Sequence, residues 1–156
     1  FRDKGQDHTY YMKMALKEAS NAFKNDEVPV GAILIHQDTI IGRGYNQCES
    51  LRDPTAHAEM IAITAAANTI ENWRLNECIL YVTKEPCAMC AGAIVNARIK
   101  MVIFGCYDEN EGCCGSLYQL CGDPRFKVQV TVKGGVLEND CLGIIQEFFQ
   151  KKRNKK

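Results

Sequence analysis

Apolar positions along the chain switch between a helical and an alternating period, and the switches outline helices interleaved with strands. Tyr11, Met14, Ala15, Ala19, Ala22 and Phe23 recur at helical spacing and predict an amphipathic helix over residues 7–25. The run Val28-Pro29-Val30-Gly31-Ala32-Ile33-Leu34-Ile35 is apolar and β-branched; with residues 39–45 it predicts two strands joined by a polar turn at Gln37-Asp38. An Ala-rich stretch, 56–69, predicts a helix entered through Asp53-Pro54-Thr55, with Thr55 as its cap. A strand at 79–83 leads through Pro86 into a helix over about 87–97, and a further strand follows at 101–105. Beyond a Gly- and Cys-rich loop, Val128–Val132 predicts a fifth strand and residues 139–152 a closing helix. The expected fold class is α/β, a three-layer α/β/α arrangement of a mixed five-stranded sheet with helices on both faces. Continuous apolar runs at 79–82 and 101–104 suit central, doubly covered strands.

With 156 residues and no repeat, low-complexity tract or linker, a single domain over 1–156 is expected. No apolar run reaches the length of a membrane span. Phe1–Asp7 lacks the apolar centre of a secretory signal, so a cytoplasmic location is expected. Nine cysteines are an odd number for a disulfide framework; reduced thiols fit better, some as ligands and several as small buried apolar groups. The zero net charge hides an asymmetry. The last six residues hold five of the 19 basic groups and none of the 19 acidic ones, so a basic tail at 151–156 sits on an acidic body. Such a tail can attract phosphates, although a solvated, frayed terminus would have the same composition.

The chemistry concentrates in His57-Ala58-Glu59 and, further on, Pro86-Cys87-Ala88-Met89-Cys90. Cys-x-x-Cys alone is compatible with a redox couple or a structural zinc knuckle. Pro86 ahead of a helix puts Cys87 and Cys90 on one face of its first turn, where exposed amides and the helix dipole favour thiolates. A third ligand from His57 makes a His/Cys/Cys set, which leaves one tetrahedral position for water, as in catalytic zinc sites. Glu59, two residues on, can reach that water without binding the ion and act as its base. Completion of a closed four-ligand site by Cys113 or Cys114 is the structural alternative; it leaves Glu59 and Pro86 without a role. His-x-Glu with Pro-Cys-x-x-Cys is the signature of zinc nucleobase deaminases.

Around this core the chain resembles the bacterial tRNA-specific adenosine deaminase family from about Tyr10 to Arg153. The matching stretches are Glu27–Ala32, Asp53–Glu59, Leu80–Thr83, Glu85–Ala93, Phe104-Gly105, Gly115–Leu117 and Phe148-Phe149. The resemblance implies hydrolytic conversion of the wobble adenosine of a tRNA anticodon loop to inosine. It implies one zinc ion per subunit on His57, Cys87 and Cys90, with Glu59 shuttling protons from the zinc-bound water. Asn46 corresponds to a residue that bonds the purine edge, and Pro29 and Val30 to the apolar wall beside the base. Ala58, Asp108, Phe149 and Arg153 are further positions expected to meet the RNA, with Asp108 at the sugar of a neighbouring nucleotide. A homodimer touching tRNA through both subunits is implied as well. Asn46 could equally be a turn residue and Asp108 a solvated one; of Phe148 and Phe149, at least one is expected in the core.

Two departures from the family pattern stand out: Lys84, where an apolar residue is usual, and the thiol-rich run Cys106, Cys113, Cys114. The competing readings are a deaminase of a free base or nucleoside, of guanine or cytosine type, and a non-catalytic zinc module that binds RNA. The basic tail with Phe148-Phe149 argues against the first, and Glu59 against the second.

Overall fold

A computed structural model describes residues 4–155, with side chains from His8 onward; the side chains of Phe1–Asp7, and Lys156 of the basic tail, lie outside the described residues. The elements are α1 (Lys4–Lys24), β1 (Gly31–His36), β2 (Thr39–Tyr45), α2 (Cys48–Leu51), α3 (Ala58–Ile70), β3 (Ile79–Lys84), α4 (Ala88–Asn96), β4 (Met101–Cys106), β5 (Thr131–Lys133) and α5 (Glu138–Asn154). The strands form one sheet in the order β2-β1-β3-β4-β5. β1 is antiparallel to β2 and β3, whereas β4 is parallel to β3 and β5, so the sheet is mixed as expected. The β1–β2 turn falls at Gln37 and Asp38, both with positive φ (50° and 65°), as a two-residue hairpin matched to strand twist requires.

Strand alternation divides the core in two. Ile33, Ile35, Tyr81 and Ile103 pack with Tyr11, Met12, Ala15 and Cys141 of α1 and α5. Their neighbours Ala32, Leu34, Leu80, Val82, Val102 and Phe104 pack on the opposite face with Ala58, Ala62 and Ala66 of α3 and Ala91 and Ile94 of α4. The runs at 79–82 and 101–104 are apolar throughout because β3 and β4 are covered on both faces.

α3 lies unusually close to β2. A Cβ on Gly42 would meet the backbone of Ala62 and Ala66, and one on Gly44 the backbone of Ala58 and Ala62. Two glycines on one strand face therefore meet an alanine stripe at i, i+4 and i+8. This contact sets the height of the α3 N-terminus above the sheet.

The structure corrects several boundaries. β1 begins at Gly31, because Val28–Val30 form a tight turn in which the Val30 N–H donates to the Val28 carbonyl (2.8 Å). Thr55 is not the helix cap: its N–H and hydroxyl both bond Asp53 Oδ1 (2.8 and 2.7 Å), and His57 takes the cap position. The short helix α2 has no counterpart in the sequence pattern. The fifth strand is only Thr131–Lys133, since Val128–Val130 pack against the preceding loop, with the Val130 N–H on the Cys121 carbonyl (3.0 Å). α5 runs to Asn154, so Lys151, Lys152 and Arg153 are helical rather than a frayed tail. Its buried residues are Cys141 and Phe148, while Leu142 and Phe149 are exposed, because helical periodicity from Cys141 passes between them. All nine cysteines are free.

Gly44→Ala is expected to force α3 off the sheet and to lower unfolding free energy by about 1–3 kcal/mol, the usual cost of overpacking. Urea denaturation checks it.

Candidate active site

Two helix N-termini converge at the carboxyl end of β3. His57 caps α3 and Cys87 caps α4, each from an extended conformation and neither with a side-chain capping bond. Cys90 lies one turn inside α4 and is fully buried. His57 Nδ1 is 3.6 Å from Cys87 Sγ and 3.5 Å from Cys90 Sγ. The three donor atoms lie within 4.8 Å of one another. An ion with zinc-like bond lengths and tetrahedral angles separates nitrogen from sulfur by about 3.6 Å, so the triad fits such an ion as it stands. Among the described residues, neither Cys113 nor Cys114 joins the group, so the closed four-ligand alternative is not formed.

The electrostatics suit a cation. The hydrogen bond from the Cys90 thiol, aided by His57 and opposed by burial, pulls Cys87 down to about 3. Cys90, the donor of that bond, is pushed up. The Cys87 bond raises His57 against the effect of burial. The start of α4, where the helix dipole also favours anionic sulfur, thus suits a thiolate.

Glu59, in the first turn of α3, is buried and lines the same cavity as His57 and Cys87. Burial raises its carboxyl above the ordinary range, opposed by its own amide and by the charge of His57. It stands beside the triad without belonging to it.

His57, Cys87 and Glu59 line a cavity of about 180 Å³ together with Val28, Val30, Asn46, Ala58, Lys84, Glu85 and Glu111, with Cys90 buried behind it. That volume is below the ~300–1,000 Å³ of pockets for drug-sized ligands and suits one small ring system. Of the sequence-predicted contacts, Asn46, Val30 and Ala58 are on the wall. Pro29 is buried and is not part of the lining; Val28 takes the place beside Val30. The Asn46 amide is loosely held, by bonds of 3.4 Å to the Val28 carbonyl and the Cys48 N–H. Asp108 is also off the wall: its Oδ1 accepts the N–H groups of Asn110 and Glu111, and its Oδ2 pairs with Lys84 Nζ at 3.0 Å. Burial opposes ionisation of both partners; the mutual bond outweighs it, lowering Asp108 and raising Lys84. Lys84 therefore sits in the wall with its ammonium held at Asp108. Phe149 lines a second groove that shares Val28 and Asn46 with the cavity and includes Lys152, while Arg153 lies with Phe149 on the outer face of α5.

Two buried carboxylates have roles that the sequence pattern did not assign. Glu27 accepts the Glu49 N–H (3.0 Å) and both the N–H and hydroxyl of Ser50 (each 2.6 Å), anchoring α2 behind Asn46. Glu85 accepts the N–H groups of Asp108 (3.0 Å), Cys114 (3.1 Å) and Ser116 (2.9 Å) and the Ser116 hydroxyl (2.5 Å), fastening the loop after β4 to the rim. Gly112 is needed there, since a Cβ would overlap the Glu85 carboxylate. The one signal that could have found them is an acidic residue one or two positions ahead of a proline at the edge of an apolar run, Glu27 before Pro29 and Glu85 before Pro86.

Fold and site together define a metal-dependent deaminase of the α/β/α type. The pattern of the MafB19-like deaminases matches residues 6–153. The tRNA-specific adenosine deaminase of Bacillus subtilis (strain 168) is 46% identical, over 94% of this chain and 91% of its own length. A solved structure from biochemical and structural studies of A-to-I editing by tRNA:A34 deaminases at the wobble position of transfer RNA superposes with a TM-score of 0.83 at 38% identity, covering 87% of this chain and 99% of that one. The guanine deaminase from Nitrosomonas europaea shares the fold at a TM-score of 0.77 and 21% identity, over 88% of this chain and 81% of its own. The chain belongs to the tRNA-specific adenosine deaminase family.

Glu85→Ala would strand three loop amides and a hydroxyl. A loss of roughly 3 kcal/mol in stability is expected, at about 1–3 kcal/mol per unsatisfied buried group with part of the loop rehydrating. Hydrogen exchange should quicken at Asp108, Cys114 and Ser116 while β1 stays protected.

Proposed function

We propose that this chain deaminates the wobble adenosine of a tRNA anticodon loop to inosine, with one zinc ion held by His57, Cys87 and Cys90 and proton transfer by Glu59. The observation that carries this reading is the triad with a buried carboxyl beside it at the floor of a one-base cavity. When bound, the ion supplies Lewis acidity that makes water a usable nucleophile near neutral pH.

The chain's own groups supply the remainder. Val28 and Val30 flank the base, and the loosely held Asn46 amide turns to its edge. Glu59 takes a proton from the attacking water as its oxygen bonds to C6, and passes that proton to ring N1. It then takes the remaining hydroxyl proton and delivers it to the exocyclic nitrogen. The C6–N bond breaks and ammonia leaves. A carboxyl whose affinity for protons is raised by burial suits both uptake and delivery.

RNA recognition extends outward from the cavity. Phe149, 41% exposed, offers a stacking face in the neighbouring groove, and Lys152 and Arg153 offer charge to phosphates. Asp108 stands beside the rim for the sugar of a neighbouring nucleotide. The same reading takes the chain as one deaminase domain that works as a cytoplasmic homodimer. No helix among the described residues is long and apolar enough to cross a membrane.

Incubation with an anticodon stem-loop carrying a wobble adenosine should yield inosine, with free guanine and cytidine turned over far less; the reverse preference overturns the substrate assignment. Glu59→Ala should keep one zinc per chain and lose a factor of about 10² to 10⁴ in turnover, whereas His57→Ala should lose zinc too. Removing the charges of Lys152 and Arg153 should make the dependence of log affinity on log salt shallower, by roughly one for each phosphate no longer neutralised.

A further inference from the structure

Lys84 is a cavity-wall charge that the reaction does not use. It ends β3 opposite Cys106, and alternation puts it on the same sheet face as Leu80 and Val82, the face that carries α3 and α4. The side chain is only 29% exposed, and its ammonium is 3.0 Å from the Asp108 carboxylate, itself 14% exposed. Asp108 is gripped twice from the same strand end, its N–H by Glu85 Oε1 and its carboxylate by Lys84. The mouth is otherwise acidic: exposed Glu111 lines it and Asp108 adjoins it, above the buried Glu59 and Glu85, while Lys84 is the one lysine or arginine among the described lining residues. An oligonucleotide brings phosphates to this mouth, and unopposed carboxylates would repel them.

We propose that Lys84 is a positioning and specificity residue for the nucleic-acid substrate: its ammonium pins Asp108 on the rim and offsets the acidity of the cavity mouth, so that an oligonucleotide can seat its base. This rests on the deaminase reading above. The residue acts on substrate binding through Asp108 and the local field, and the proton-transfer step is untouched.

The test uses the full-length, zinc-loaded chain and the anticodon stem-loop. Lys84→Met should raise KM about five- to tenfold at low salt with kcat within about twofold, and the increase should shrink at high salt, where rim charges are screened. Lys84→Arg should restore KM to within about twofold of wild type, since it keeps the charge. Asp108→Asn added to Lys84→Met should cost less than it does alone, as expected for residues acting as a pair. Direct binding of the stem-loop to Glu59→Ala, with and without Lys84→Met, reads the same effect without turnover. Lys84→Gln serves in place of Lys84→Met should the methionine variant fail to fold. Unchanged KM and Kd, a kcat loss at constant KM, or an arginine variant as impaired as the methionine one would each overturn the proposal. A wild-type chain that forms no inosine overturns the deaminase reading instead, and the binding comparison still decides the role of Lys84.

Discussion

The site exists because a helix can lie almost on the backbone of an edge strand. Gly42 and Gly44 remove side chains from one face of β2, and Ala58, Ala62 and Ala66 offer little more than methyl groups in return. α3 sinks into that trough and carries His57 and Glu59 at its first turn. The parallel pairing of β3 with β4 requires a crossover, and α4 supplies it from the carboxyl end of β3, so that Cys87 and Cys90 meet the imidazole 30 or more residues away in sequence. Both segments present helix N-termini, where amides lacking intrahelical partners make a field that favours anionic sulfur. The donor separations match those of a coordinated ion because two rigid elements fix them.

Three buried glutamates divide the work according to their partners. Glu27 and Glu85 receive three and four donated hydrogen bonds and act as anchors, one for the turn behind Asn46 and one for the loop bearing Asp108. Glu59 is equally buried but faces the sulfur and imidazole groups instead of a cage of amides, and burial raises its carboxyl. Carboxyl groups of one kind thus become two clamps and one group of raised proton affinity, decided by how many donors surround each.

Much of this is legible in the chain. Hydrophobic periodicity predicts the helix–strand order, the mixed sheet and the two central strands, because these depend on which residues must leave water. The His57, Glu59, Cys87, Cys90 grouping is legible because metal ligation and proton transfer tolerate few residue types at few spacings. Short elements are not: α2, the true start of β1 and the abbreviated β5 are held by Glu27, by the Val28–Val30 turn and by the Cys121 carbonyl, and none of these leaves a periodic signal. The buried face of α5 differs by one position from the one its apolar residues suggest, since Leu142 and Phe149 are as apolar as the buried Cys141 and Phe148.

The sequence by itself determined the chemistry, since the identities of the donors and of the carboxyl group define what the site can bind and transfer. Tertiary structure alone decided the surroundings: that Val28 rather than Pro29 faces the cavity, that Asp108 is tied to Lys84, and that Phe149 rather than Phe148 is exposed. Those outcomes follow from packing and from long-range hydrogen bonds between segments tens of residues apart, and a linear pattern carries no record of which distant group reaches a side chain first.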